Sequence, residues 1–408
     1  MTECDLSSRS DIIELFSGAG GFTWGWYQAG FNTRAAIDFD VAATRTHELN
    51  FPHSLTLHRD ISTFGPSDLT NLLGTGRRPR SLLAVVGGPP CQGWSRAGRG
   101  KLRSLDTVAD SLLKDPRNGL YRRFLSYVDE LRPPICVMEN VPGMLSIEGV
   151  NVADSIVRHY ERIGYRCTYA LVNARWFGVP QDRRRLIFIG VDEALADDAR
   201  LFASRLEKFA PRFRRDLLGF SDQDTSVRQA IGDLPEIPHG MREDPQVYRH
   251  PSRRSRYADL MRACSNGMLT DHVTREHNQQ DLDAFAYMEE GGRYFELPDR
   301  FKRYRDDIFK DKYRKMRWSA PAGTVTAHFA KDCYTHIHPS QPRTVSIREA
   351  ARLQSFPDDF RFFGNMGERF RQIGNAVPPL MAWGIAEYVR EHLSHIGLRV
   401  TPRATHLV

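Results

Sequence analysis

Asp11-Ile-Ile-Glu-Leu-Phe-Ser-Gly-Ala-Gly-Gly-Phe22 is the stretch that decides the fold class. Its first half, Asp11–Phe16, is too short for a buried helix and suits a strand covered on both faces. It feeds a glycine-rich turn, where the backbone can bend sharply and come close to a ligand. A helix-compatible segment follows. The same rhythm recurs. Short apolar runs at Ala35–Asp38, Leu82–Val86, Ile135–Glu139 and Leu186–Gly190 alternate with amphipathic segments such as Val152–Ile163. Strand and helix in repetition predict an α/β protein with a doubly wound sheet.

The rhythm breaks after about residue 193. From there to about 345 the chain is polar, irregular and rich in Arg, Asp and Pro. Val345–Ser355 then reads as a helix, with Ser346 as N-cap and Glu349 three residues on in a capping-box pattern. A second helix is expected from Pro379 to Leu393, and Thr401–Val408 as a loose tail. The expected organisation is a catalytic domain over 1–193, an inserted domain over 194–345, and a completing segment over 346–408.

Composition narrows the class. The chain has 408 residues, 41% hydrophobic and 26% charged, which excludes a disordered or fibrous protein. No apolar run approaches the roughly 18 residues of a membrane span. The first residues lack the basic and apolar regions of a secretion signal, so a cytoplasmic protein is expected. The net charge of +7 and a pI of about 9.1 permit a polyanionic partner without requiring one. The 6 cysteines (Cys4, Cys91, Cys136, Cys167, Cys264 and Cys333) form no Cys-x-x-Cys pair. Neither a zinc ribbon nor a dithiol redox site is indicated, and no metal is expected.

Two places carry chemistry. In the first, Gly18, Gly20 and Gly21 form the turn, and the next strand ends at Asp38, 18 residues past Gly20. An acidic side chain there can accept hydrogen bonds from ribose hydroxyls. Thr23 stands where a dinucleotide fingerprint has its third glycine, and no Gly-Lys-Ser/Thr follows, so this is neither that fingerprint nor a Walker loop. Such a turn also occurs in α/β proteins that bind no nucleoside. The second place is Gly87-Gly-Pro-Pro-Cys-Gln-Gly-Trp-Ser95, directly after an apolar run. In an open α/β sheet, ligands bind outside the carboxyl ends of strands. Cys91 therefore stands where a nucleophile would act, whereas Cys136 and Cys167 lie in apolar runs like structural cysteines.

From these residues the chain resembles the DNA (cytosine-5) methyltransferases of bacterial type. Pro89-Pro-Cys-Gln matches that family's nucleophile motif, and Phe16-Ser-Gly-Ala-Gly-Gly21 its cofactor loop. Glu139-Asn-Val-Pro142 and Gln181-Asp-Arg-Arg-Arg185 match two further motifs. Arg348-Glu-Ala-Ala-Arg-Leu-Gln with Phe356-Pro357, and Gln372-Ile-Gly-Asn-Ala-Val-Pro378, match the two C-terminal ones. Asp38 departs from the pattern, because the family usually has glutamate there.

The resemblance implies a Rossmann-like S-adenosylmethionine-dependent domain with a smaller inserted target-recognition domain. It implies Cys91 as the thiolate that adds to cytosine C6, Glu139 at N3, and Arg183 and Arg185 near the base; Arg184 is expected to face elsewhere, because alternate residues on an extended segment point apart. For S-adenosylmethionine it implies Phe16, the Gly18–Gly21 backbone, Asp38, Asp60, Ile61, Pro89, Leu120 and Asn375. For DNA it implies Gln92, Ser95 and Arg117, and Thr324 and Thr326 nearest the flipped base. Implied partners are double-stranded DNA and a cognate restriction endonuclease, and a monomer associated with the nucleoid is expected. Ser95–Arg123 carries eight basic residues against three acidic, and Arg300–Arg317 nine against three, so both read as phosphate-contacting stretches. Three alternatives stand beside this reading: the same chemistry on transfer RNA, a catalytically silent DNA-binding homologue, and a Rossmann oxidoreductase. The tRNA branch usually carries a Cys-Phe-Thr element in the insertion, which is absent here.

Overall fold

The structure is a computed structural model that describes residues 10–76, 79–90, 119–145, 151–195, 203–248, 255–304, 312–395 and 400. Its main sheet contains β1 (Asp11–Leu15), β2 (Asn32–Asp38), β3 (Leu55–His58), β4 (Leu82–Gly87), β5 (Ile135–Asn140), β6 (Tyr165–Asn173) and β7 (Arg184–Asp192). The spatial order is β3-β2-β1-β4-β5-β7-β6. β1 to β5 are parallel, and β7 runs antiparallel to both its neighbours. The mixed α/β class expected from the sequence is therefore observed. Every residue of β4 is buried, and four of the five in β1. Sealing both faces of these strands brings about 1.5–3 kcal/mol for each large aliphatic side chain taken from water.

One strand, β6, was not anticipated; it lies on one sheet edge and β3 on the other. Each has one partly open face, with Leu55 and Leu171 exposed, so neither shows the continuous apolar run that marks β1, β4 and β5.

The described residues divide into two compact units. The first takes the described residues within 1–173, 184–211 and 381–405. Within it the C-terminal helix Pro379–His395 packs so closely that a Cβ on Gly25 would lie 2.3 Å from the Trp383 amide nitrogen. The second takes Ala174–Arg183 and Arg212–Leu380. It holds the expected helix, observed as Ile347–Leu353 with the Ser346–Glu349 capping box in place. The expected division grouped that helix with the completing segment 346–408, but here it lies within the second unit. Two buried arginines explain the grouping. Arg352 pairs with Asp233 at 2.7 Å and with Asp358 at 2.6 Å, and Arg348 with Asp271 at 3.4 Å. Buried charges persist only when paired in this way, and removing one partner costs about 3–5 kcal/mol.

A polar chain runs beneath the glycine turn. The Glu14 carboxyl shares a hydrogen bond with the Thr23 hydroxyl, which meets His47 Nε2 at 2.9 Å. His47 Nδ1 meets Thr56 Oγ1 at 2.7 Å. Burial pushes Glu14 up to about 8 and His47 down to about 3, so both groups are neutral at neutral pH. A carboxyl raised on folding contributes stability that is full below its unfolded pKa, near 4.5, and is lost as pH rises through about 8. Glu14→Gln is therefore expected to flatten the fall in stability across that window, measured by urea unfolding at several pH values. An unchanged pH dependence would show that Glu14 is already ionised in the folded protein.

Candidate active site

Strand register builds the site. Leu15 pairs with Ile37 on one side and Gly87 on the other, and Gly87 pairs with Met138. Phe16, Asp38, Gly88 and Glu139 therefore stand in one row, one residue beyond, at the carboxyl edge of the sheet. The chain moves outward from β1 to β3 and then returns to β4, so the strand order reverses between β1 and β4. That reversal is where open α/β sheets bind ligands.

Three strands shape one end of the row. Phe16 has φ 58°, a left-handed conformation rarely adopted by a bulky residue. Gly18 and Gly20 also have positive φ, at 54° and 99°. Nothing lies within 4 Å of where a Gly18 Cβ would be, so the turn is open there. A Cβ on Gly20 would meet the Phe51 ring at 2.5 Å. Asp38 ties the turn to β2: its Oδ2 accepts the Gly18 amide at 2.8 Å, and its Oδ1 the Asp40 amide at 2.9 Å. Burial raises the Asp38 carboxyl from its ordinary value, while these amides pull it back. Phe39 beside it is exposed, an aromatic surface that the sequence reading did not single out. Beyond β3, Asp60 Oδ1 accepts the Ser62 amide at 2.9 Å, and the Ser62 hydroxyl and amide hold its carboxyl below the usual range. Ile61 is buried in the core of the first unit. Leu120 opens the helix Leu120–Leu131 and packs on the same core.

The other end of the row is tighter. A Cβ on Gly87 would lie 2.2 Å from the Leu15 carbonyl oxygen, and one on Gly88 3.2 Å from Glu139 Oε2. Only glycine at 87 lets the strand ends approach this closely, whereas a side chain at 88 would have to shift the Glu139 carboxyl group. Glu139 Oε1 pairs with Arg185 Nε at 2.7 Å, both side chains about one-eighth exposed. Arg184 is exposed, as alternation along an extended segment requires. Asn140, to which the sequence reading gave no role, is buried. Its Nδ2 donates to the Pro89 carbonyl at 3.3 Å, and its Oδ1 accepts the Val141 amide at 2.8 Å. Pro89 is thus anchored to the end of β5, two residues before Cys91. Cys91, Gln92, Ser95 and Arg117 lie outside the described residues.

The remaining expected site residues belong to the second unit. Arg183 is buried there, and its guanidinium donates to three carbonyls: Val325 at 2.7 Å, Ala376 at 3.0 Å and Gly374 at 3.3 Å. Gln181 Oε1 accepts the Val325 amide at 3.0 Å, and Thr324 Oγ1 donates to the Asp182 carbonyl at 2.8 Å. A Cβ on Gly374 would come within 2.1 Å of the Thr326 carbonyl carbon. Gln181–Arg183, Thr324–Thr326 and Gln372–Ala376 are therefore locked together through their backbones. Asn375, exposed at the end of the helix Met366–Asn375, belongs to this assembly. Arg183 and Arg185, read together in the sequence, make quite different contacts.

Some of the charges counted in the two basic stretches are engaged by the protein itself, and most of the first stretch lies outside the described residues. Within the second basic stretch, the buried Lys315 ammonium donates to the Phe285 and Met288 carbonyls. Arg303 pairs with Asp281 at 2.7 Å, and Lys312 with Asp332 at 2.9 Å. In the first stretch, Arg123 donates to backbone carbonyls. These four side chains serve the fold. Among the described residues, no cluster of three or more His, Cys, Asp and Glu is placed to hold a metal. Nor is any helix long and apolar enough to cross a membrane.

Comparison with known proteins gives one consistent result. A family model for C-5 cytosine-specific DNA methylases matches residues 10–391. The type II methyltransferase M.AgeI of Thalassovita gelatinovora is 32% identical, over 94% of this chain and 99% of its own. The type II methyltransferase M.DdeI of Desulfomicrobium norvegicum is 33% identical, over 95% of this chain and 90% of its own. Among solved structures, a prophage-encoded E. coli protein described as a DNA modification methyltransferase matches with a TM-score of 0.70 and 26% identity. That match covers 94% of this chain and 99% of the other.

Proposed function

The chain belongs to the C-5 cytosine-specific DNA methylases and is a DNA (cytosine-5) methyltransferase; from that premise we propose that it moves a methyl group from S-adenosylmethionine to a cytosine flipped out of duplex DNA, through a covalent bond between Cys91 and C6. The observation that carries this reading is the Glu139–Arg185 pair at 2.7 Å, beside Gly88 and the anchored Pro89 that lead into Cys91.

The residues at the other end of the row suit S-adenosylmethionine. Ser17 Oγ is buried beside the turn with no hydrogen-bond partner among the described residues, and Gly18 leaves open space. Phe16, Gly18, Gly20, Gly21, Asp38, Asp60, Ile61, Pro89 and Leu120 would hold the cofactor, with Phe39 offering a further aromatic face. When bound, the cofactor supplies a methyl group on a positively charged sulfur.

The protein's own groups do the rest. The Cys91 thiolate adds to C6, breaks the ring's aromaticity and makes C5 nucleophilic. Glu139 gives a proton to N3 as negative charge collects there. Arg185 keeps its own proton, holds the cytosine O2 and orients the Glu139 carboxyl group. After transfer a base takes the C5 proton, and the sulfur leaves as thiolate. Arg183, which donates to three carbonyls, acts by holding Thr324–Thr326 in place. In the second unit, Thr324–Thr326 contributes to reading the target. The relatives' type II names suggest a sequence-specific role beside a restriction endonuclease in a bacterial cytoplasm, with the enzyme working on the nucleoid as a monomer.

The test is transfer of labelled methyl from S-adenosylmethionine to DNA and to transfer RNA, assayed side by side. Label in DNA is expected. Label in RNA alone would replace this reading with the tRNA one.

A further inference from the structure

The turn Asp60–Phe64 lies just beyond β3 and closes on itself. The Phe64 and Thr63 amides both return to the Asp60 carbonyl, at 2.9 Å and 3.1 Å. Two carbonyls of this turn point away from it, and both are taken by side chains from the helix Leu120–Leu131. Arg123 Nε donates to the Ile61 carbonyl at 2.9 Å and Arg123 Nη2 to the Phe64 carbonyl at 3.2 Å. Tyr127, one helical turn further on, donates its hydroxyl to the same Phe64 carbonyl at 2.8 Å. Residues four apart share a helix face, so one face clamps the whole turn. The Arg123 charge also acts on Asp60, adding to the Ser62 hydrogen bonds that keep this carboxylate ionised.

We infer that Arg123, with Tyr127, is a positioning residue for the cofactor: it sets the Asp60–Ile61 edge of the pocket relative to Leu120, rather than gripping a DNA phosphate. This rests on the cofactor reading above. Leu120 and Arg123 occupy the first turn of one helix, so the clamp fixes the distance between two cofactor-facing segments that are about sixty residues apart in sequence. Two of the three guanidinium nitrogens, Nε and Nη2, are held by the protein's own backbone, which fixes the head group on the turn.

The experiment uses the full chain and S-adenosylhomocysteine as the calorimetric probe. Arg123→Ala is expected to weaken binding by about tenfold, the scale of one lost charge-assisted hydrogen-bond pair. The same variant should raise KM for S-adenosylmethionine and leave kcat at saturation nearly unchanged. Tyr127→Phe removes one hydroxyl and should weaken binding by a smaller factor, while Arg123→Lys should restore part of the loss. The slope of log DNA affinity against log salt should not change. Unaltered S-adenosylhomocysteine binding in Arg123→Ala would overturn the inference. So would a salt slope shallower by about 0.9, the mark of one lost phosphate contact. A loss of kcat with KM retained would overturn it too. If the unsubstituted protein itself fails to bind S-adenosylhomocysteine, the cofactor reading falls, and that outcome is separate from these. Circular dichroism melts of each variant confirm that it is folded when compared.

Discussion

Cys91→Ala is expected to lower methyl transfer by a factor on the order of 10⁶, the scale of removing a covalent nucleophile. The reason is chemical. Cytosine C5 does not attack a methyl donor until something has added to C6, and only a soft, deprotonated nucleophile does this readily near neutral pH. The described residues that lead to Cys91 are closely held. Gly87 and Gly88 let the end of β4 press against β1 and β5, and Asn140 holds the Pro89 carbonyl. The other described cysteines in the sheet cannot substitute. Cys136 is fully buried, and burial pushes its thiol well above the ordinary value; Cys167 is raised by burial in the same way. Binding of S-adenosylhomocysteine should survive the substitution, because the proposed cofactor residues other than Pro89 belong to the end of β1 and its turn, β2, the turn after β3 and the helix Leu120–Leu131. Unchanged turnover in Cys91→Ala would remove the nucleophile assignment outright.

The second large effect is expected at Glu139. Glu139→Gln keeps the shape and a hydrogen-bonding head but cannot carry charge or pass a proton to N3. A loss in kcat of about 10²–10⁴-fold should follow, the usual range for one proton-transfer group. KM for S-adenosylmethionine should stay within a factor of about two, since removing an interaction made only in the transition state leaves ground-state binding alone. The Arg185 partner gives an internal control. Arg185→Lys keeps the positive charge but loses the fork that faces Glu139 at 2.7 Å, so it should fall between wild type and Glu139→Gln. A Glu139→Gln enzyme with full kcat and a raised KM would move Glu139 from the chemistry to the binding of cofactor.

How much of this was legible in the sequence depended on whether the physics was local. β1, β4 and β5 announced themselves because strands buried on both faces must be apolar throughout. The glycine turn and the Ser346–Glu349 cap are likewise written in adjacent residues. β6 was missed because an edge strand with one wet face carries fewer apolar residues. The site row Phe16, Asp38, Gly88 and Glu139 could be assembled only from sheet register, which no single segment encodes. Arg183 and Arg185 show the same limit more sharply. They share a motif and a residue type, yet one donates to three carbonyls and the other pairs with a carboxylate. The basic stretches show a related limit: counting charges cannot show that Lys315 is buried on carbonyls or that Arg123 clamps a turn. The Arg352–Asp233 pair spans 119 residues of sequence, and nothing near either residue foretells it.

The central claim is that this chain places methyl groups on C5 of cytosine in DNA, at sites chosen by sequence, through Cys91. Bisulfite sequencing of DNA from cells expressing the chain, beside cells expressing Cys91→Ala, tests it most directly. Cytosines that resist conversion within one short recurring sequence, present with the wild type and absent with the variant, are the predicted result. No protected cytosines above the level of the variant would contradict it.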